Sequence, residues 1–416
     1  MELDWHVQRS DLAGIGQLAL DASRVDVDEN ALALSRLQRV RTQMQRFELE
    51  ALLLNDPVNI RYACGARNMQ VFAARNGMAR YLLVTHDRTI LFEMGGAEHL
   101  ARGLPTLDQV CSSANTGYVA TADGLVKAER QWTLEMGAWL RELAGRGARI
   151  GTERLPPGIV SGLLAQGFEL TDAQGAVERA RAIKTQEELQ CIRASLACTE
   201  VGVAALHEAL QPGMTENELW SVLHQAVIAG GGEYFETRLL NSGQRSNPWF
   251  QETGAKRIAR NELVALDTDV VGCFGYYADF SRTFHAGPEA PTSRQRDLYK
   301  TALEQVSHNL SILRPGMSFR DYAREAWPIP ERFFANRYYV SAHGVGMTGE
   351  YPYLYHHADF EQAGYDGEIL PGMTLCVESF IGAEGGEEGV KLEQQVLITG
   401  SGTEILSNFP FEETLR

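Results

Sequence analysis

The chain has 416 residues, more than one hydrophobic core ordinarily serves, so two domains are expected. Apolar residues make up 44% and charged residues 22%, globular values that exclude a disordered chain or a fibre. A net charge of −16, with no long Lys/Arg cluster, argues against nucleic acid and anionic membrane surfaces as partners.

The opening "MELDWHVQRSDLAG" is acidic and lacks the basic and apolar regions of a signal peptide. No stretch reads as the ~20 apolar residues of a membrane span. The six cysteines are scattered without a CxxC pair and mostly embedded in apolar runs, as reduced core thiols are. Cytoplasm is the expected compartment.

Residues 1–30 are aperiodic and are expected to form an arm. "ALALSRLQRVRTQMQRF", Ala31 to Phe47, places apolar residues at helical spacing with arginines on the other face. Strands follow at "EALLLNDPVNIRY" (ending at the turn signal Asn55-Asp56-Pro57), "ARYLLVT" and "RTILFEM", then a long helix around "AERQWTLEMGAWLRELAG". This alternation predicts a first α/β domain over residues 31–182. A second domain is expected over 183–416. Thr185 with Glu188, and Thr215 with Glu218, fit capping boxes that open two helices. From Phe235 onward strands dominate, with helices at Arg294–Leu313 and near Asp321.

The segment "NELVALDTDVVGCFGYYADFSRTFHAG" carries the chemistry. Asp267 and Asp269 stand at i and i+2, the same face of a strand. Gly272 and Gly275 are turn candidates before Asp279, so a hairpin would carry that carboxylate back across to the first two. Three converging carboxylates in an apolar pair of strands are costly unless a cation is present. Glu378 in "GMTLCVESFIGAEGG" and Glu393 in "GVKLEQQVLITG" add strand acids, where acids are depleted. His343 lies in "SAHGVGMTGEYPYLYHH". Oxygen-rich donors with one imidazole suit two bridged divalent ions such as Fe, Mn, Zn or Co.

The ordered set Asp–Asp–His–Glu–Glu, with "HGVG" and "GVKLEQQVLIT", resembles the pita-bread metallohydrolases, the family of methionine aminopeptidase, aminopeptidase P, prolidase and creatinase. The resemblance covers both domains. It implies an α+β chain, with an N-terminal α/β creatinase-like domain before a C-terminal pita-bread domain. It also implies metal ligation by Asp269, Asp279, His343, Glu378 and Glu393, a small-molecule substrate and a homodimer.

"GGEYFETRLLNSGQRSNPWFQETG" and "LDTD" are more similar to one branch, the DddP-type dimethylsulfoniopropionate lyases. That likeness makes Asp267 an additional ligand and places Tyr338 near the site. In those lyases an aspartate just before Glu-Trp-Pro is the base proposed to remove the substrate's α-proton. This chain carries Gly349 there, before Glu350-Tyr351-Pro352. A lyase acting on a small zwitterionic acid would then need Glu350 or Tyr338 in that role. A peptide or amide hydrolase, with Glu378 as proton shuttle, needs less from the segment. A binding protein that merely keeps the fold is the third class, and the complete ligand set weighs against it. Trp249 and Phe250 are candidates to box an onium group, and Tyr276, Tyr277, Tyr351, Tyr353 and Tyr355 cluster nearby in sequence. Arg282 is a candidate partner for a substrate or metal-site carboxylate. His356 and His357 fit no ligand spacing and are expected at the surface.

Overall fold

The computed structural model describes residues 25–416, so most of the expected arm lies outside the described residues. The chain divides into two compact units, Val27–Arg181 and Ala182–Arg416.

The first unit is a six-stranded mixed sheet. Its strands are β1 (Ala51–Leu54), β2 (Tyr81–Thr85), β3 (Thr89–Glu93), β4 (Gln109–Ser112), β5 (Arg149–Thr152) and β6 (Glu169–Asp172). They lie in the order β4-β3-β2-β1-β5-β6. Helix Leu125–Leu143 buries Trp132, Met136 and Leu140, four residues apart and so on one face, against Leu53, Leu83 and Ile150. Asn55-Asp56-Pro57 does end β1, but Asp56 caps a new helix, Pro57–Cys64, where a turn was expected. Helix Glu29–Arg46 buries Leu32, Leu37, Val40 and Met44 as its periodicity predicts. Arg36 departs from that pattern: it is buried, with its guanidinium 5.5 Å from the ring centre of Tyr62.

In the second unit, both expected capping boxes are present, opening helices Gln186–Ala209 and Glu216–Ala229. The first of these is long and apolar enough by composition to cross a membrane, which the sequence reading overlooked. Its apolar window is 78% buried inside the fold, the behaviour of a core helix.

Three sheets follow. The short strands β7 (Tyr234–Phe235), β10 (Val270–Val271) and β11 (Tyr277–Ala278) form one, in the order β11-β10-β7. A second joins β8 (Leu240–Ser242), β9 (Leu263–Asp267) and β12 (Ser281–His285) in the order β12-β9-β8. The third comprises β13 (Ala342–Val345), β14 (Gly349–Leu354), β15 (Thr374–Ile381), β16 (Val390–Ile398) and β17 (Thr403–Ile405), in the order β14-β13-β15-β16-β17. Every residue of β15 and β16 is buried. An acid on either strand therefore has no solvent to relax into. Helix Ser293–Ile312 contributes Leu298, Tyr299, Ala302 and Val306 to a core shared with Ile381, Val390 and Leu392.

Candidate metal centre

Strand register assembles the site. Glu378 and Glu393 are direct cross-strand partners on β15 and β16. Like charges placed opposite one another destabilise a sheet unless something of opposite charge lies between them. His343 on β13 pairs with Cys376, two residues before Glu378 and so on the same face of β15.

The hairpin expected between Asp269 and Asp279 is present, with Val270 opposite Ala278 and Val271 opposite Tyr277. The reason given for pairing Asp267 with Asp269 needs correction. Asp267 ends β9, but Asp269 has φ +41°, in the left-handed region, so a regular strand does not align the two. Asp269 is held instead by the Thr237 hydroxyl and by Tyr277 Oη at 3.2 Å. Strain at a non-glycine residue of this kind gathers at functional sites.

The His343 Nε2 atom lies 3.7 Å from Asp279 Oδ2, 3.5 Å from Glu378 Oε1 and 3.6 Å from Glu393 Oε1. The other ring nitrogen, Nδ1, is 2.9 Å from the Gly344 carbonyl. Donation there turns the Nε2 lone pair toward the carboxylates, the arrangement of a metal-ligating histidine. Among the described residues, Asp279 Oδ1, Glu378 Oε1 and Glu393 Oε1 are buried and make no well-formed hydrogen bond, with His343 Nε2 no nearer than 3.5 and 3.6 Å to the two glutamate oxygens. Buried acceptors left this way cost stability, and a divalent cation at their focus would satisfy them. The donor set thus fits a hard or borderline metal ion. Asp279, His343, Cys376 and Glu393 each offer a donor atom within 4.8 Å of the others.

Opposite this focus lies a residue the sequence reading missed. Lys391 Nζ is fully buried, 2.8 Å from Glu378 Oε2, 2.9 Å from Glu393 Oε2 and 3.2 Å from Asp267 Oδ2. Ser281 joins the same network, donating to Asp267 Oδ1 at 2.7 Å. Period-2 alternation from Glu393 would have found Lys391. It would also have found Gln395, whose Oε1 accepts from the Asp279 amide at 2.9 Å.

The electrostatics follow from burial. Burial drives the Asp267 and Asp279 carboxyls well above the ordinary carboxylate range, with Lys391 opposing in both. Glu378 is raised to about 7 by burial, against the pull of Lys391. For His343, burial disfavours the imidazolium, but the neighbouring Glu393 and Glu378 carboxylates outweigh it and raise the ring to about 9. Without metal the site is therefore held together by protons and one ammonium.

A pocket of about 290 Å³ opens onto the cluster. It is lined by the six predicted ligands Asp267, Asp269, Asp279, His343, Glu378 and Glu393, and also by Tyr338 and Phe250. Phe250, at φ +76° and 56% exposed, stacks on Tyr338 with ring centres 5.2 Å apart. Tyr338 lies 4.7 Å from Tyr339, and Tyr339 lies 5.7 Å from Tyr353, which continues the wall toward His343. Tyr339 had no sequence signal of its own, and Glu236 and Thr237 were not singled out although they lie in the "GGEYFETRLLNSG" stretch that carries the lyase-branch likeness.

Four readings are corrected. Glu350 does not serve the site: its carboxylate is buried in an ion pair with Lys184 Nζ. Arg282 is fully buried, its guanidinium donating to the carbonyls of Ser281 (2.8 Å) and Glu393 (2.7 Å) and to Gln394 Oε1 (2.7 Å). It braces backbone and reaches no substrate. Trp249 packs in a core with Leu239, Val340 and Phe380, supporting the pocket wall from behind. His356 is buried rather than exposed, with Nε2 2.9 Å from the Tyr338 carbonyl, which fixes the start of the aromatic wall.

Comparison with known proteins agrees with this architecture. Residues 190–400 match the model of Metallopeptidase family M24, and residues 36–183 match the Creatinase/Prolidase N-terminal domain. Dimethylsulfoniopropionate lyase DddP of Roseovarius nubinhibens is 34% identical over 397 residues, 92% of this chain and 89% of that protein. The Xaa-Pro dipeptidase of Pyrococcus furiosus is 28% identical over 248 residues, 58% of this chain and 67% of that protein. Among solved structures, the Xaa-Pro dipeptidase from Bacillus anthracis superimposes with a TM-score of 0.72 at 21% identity, covering 91% of this chain and 99% of that one. At that identity it is a likeness of fold. The chain belongs to metallopeptidase family M24, with a creatinase-type N-terminal domain, and is a metal-dependent enzyme of the lyase or hydrolase type.

Proposed function

We propose that this enzyme cleaves a small carboxylic acid bearing an onium group, by elimination, as dimethylsulfoniopropionate is cleaved to dimethyl sulfide and acrylate. One observation carries the reading: an aromatic wall and a carboxylate-histidine cluster together line one small pocket. Ring faces attract a desolvated sulfonium or quaternary ammonium. The named activity of the DddP relatives supports the same substrate class.

The ligands Asp267, Asp269, Asp279, His343, Glu378 and Glu393 would hold two divalent ions, which supply Lewis acidity toward the substrate carboxylate. Phe250, Tyr339 and Tyr353 bind and orient the onium end, while the Tyr338 ring lies under Lys391 Nζ, 4.6 Å from its centre, and stacks on Phe250. Tyr338 Oη stays protonated, because burial and the nearby Glu378 carboxylate push it well above its ordinary range. It is suited to donate a hydrogen bond and not to take a proton. Among the described residues, Glu236 is the one pocket-lining carboxylate outside the ligand set. Its Oε2 lies 3.0 Å from Tyr277 Oη, whose single proton it shares with Asp269 Oδ1 at 3.2 Å. In the elimination, Glu236 takes the proton from the carbon beside the carboxylate. The electron pair forms the new double bond, and the carbon–sulfur bond breaks to release a neutral sulfide.

Hydrolysis of a peptide or small amide is the second reading. It is favoured by Gly349, which offers no acid where the lyase branch has one. Product analysis by proton NMR separates the two. Metal-loaded protein is incubated with dimethylsulfoniopropionate and, separately, with Xaa-Pro dipeptides. Acrylate and dimethyl sulfide support elimination; dipeptide cleavage without them overturns it.

A further inference from the structure

We propose that Gly349 is a specificity-determining residue, whose missing side chain makes room for a substituent on the substrate carbon next to the carboxylate. The inference rests on the reading of the site as one for onium carboxylates.

Three glycines in this segment differ in what holds them. A Cβ on Gly344 would meet the Tyr351 carbonyl oxygen at 2.2 Å, and one on Gly346 would meet Glu350 Oε1 at 2.5 Å. Packing forbids a side chain at both. At Gly349 an added Cβ would meet, among the described residues, only the His343 ring, at 3.8 Å from Cε1 and Nδ1, an ordinary contact. Nor does the backbone require glycine there, since Gly349 is not among the positive-φ residues. It opens β14 opposite Val345 and lines the pocket. Neither backbone nor packing accounts for it.

The position of the space identifies the part of the substrate it serves. His343 belongs to the ligand cluster, so the room left by Gly349 adjoins the carboxylate-binding end, where Tyr353, the cross-strand partner of His343, ends the aromatic wall. The neighbouring residue does not fill it, because the buried Lys184 pair holds the Glu350 side chain elsewhere. A substrate branched beside its carboxylate, by a methyl, hydroxyl or amino group, would occupy this room.

The test uses acids with a poor leaving group, so that binding is read without turnover. Calorimetry on metal-loaded protein compares 3-(trimethylammonio)propanoate with its 2-methyl derivative, for wild type, Gly349→Ala and Gly349→Val. Wild type is expected to bind the branched acid at least as tightly as the parent. Gly349→Val is expected to lose the branched acid by about tenfold or more, the scale of one or two methyl groups in a pocket, while keeping the parent. Gly349→Ala, with its ordinary contact, should fold normally and fall between. Equal losses of both acids, or a wild-type preference for the parent, would overturn the assignment. Failure of wild type to bind either acid would overturn the onium reading itself, and this inference with it.

Discussion

Lys391 and Glu393 stand two residues apart on one face of β16, and the buried ammonium lies 2.9 Å from the carboxylate. The same ammonium touches Asp267 and Glu378. Five carboxylates (Asp267, Asp269, Asp279, Glu378 and Glu393) against this one ammonium leave four negative charges, the charge that two divalent ions match. Lys391→Met would leave buried acids without their one fixed counter-charge, an effect of about 3 kcal/mol in comparable sites. Urea denaturation in the presence of a chelator should show that loss, and added metal should recover much of it. Unchanged chelated stability would mean that Lys391 does not hold the cluster.

Asp279→Ala and Glu393→Ala each remove a carboxylate from the focus around His343 Nε2. Both variants should lose tightly bound metal after desalting, as read by plasma mass spectrometry. Retention of two metal equivalents in either would contradict the ligand assignment.

Glu236 and Glu350 are predicted to behave oppositely. Glu236→Gln should lower kcat by about 10²–10⁴, the usual effect of losing a positioned base, with a small change in KM. Glu350→Gln breaks a buried ion pair and should lower the melting temperature while sparing kcat of the folded fraction. Steady-state kinetics alongside thermal melts distinguish the two. The reverse pattern would restore Glu350 as the base.

Stability of the metal-free protein should fall as pH rises. Glu378 titrates near 7 in the fold against 4.5 in the unfolded chain, so the folded state holds the extra proton between those values and stability drops across them. His343 titrates near 9 against 6.5, and its contribution is lost as pH rises through the folded value. Glu378 lowers stability from about pH 4.5 to 7 and His343 from about pH 6.5 to 9, two slopes of the same sign. Metal ions replace those protons, so metal affinity should rise over the same range. Melting curves with and without Mn²⁺ at pH 5, 7 and 9 read both effects. A chelated protein more stable at pH 9 than at pH 5 would contradict the described charge arrangement.

What the sequence made legible were the features set by local rules. The boxes at Thr185 and Thr215 and the hairpin between Asp269 and Asp279 follow from spacing alone. Asp279, His343, Glu378 and Glu393 stood out because charge in an apolar strand calls for a partner. The failures share one cause, partners distant in the chain. Lys184 lies 166 residues before Glu350, so nothing near Glu350 shows that its carboxylate is already engaged. Arg282 is taken by the carbonyl of Glu393, 111 residues on. Lys391 is different: its position beside Glu393 was readable, but a lysine among acids was read past because ligand spacing looks for donors and not for counter-charges.

The most direct test of the central claim is anomalous diffraction from crystals of the protein grown with Mn²⁺. The account predicts two peaks within the cluster, with His343 Nε2, Asp279, Glu378 and Glu393 among the coordinating groups. Absence of any peak there, with the Oε1 atoms of Glu378 and Glu393 satisfied by protein donors alone, would contradict it.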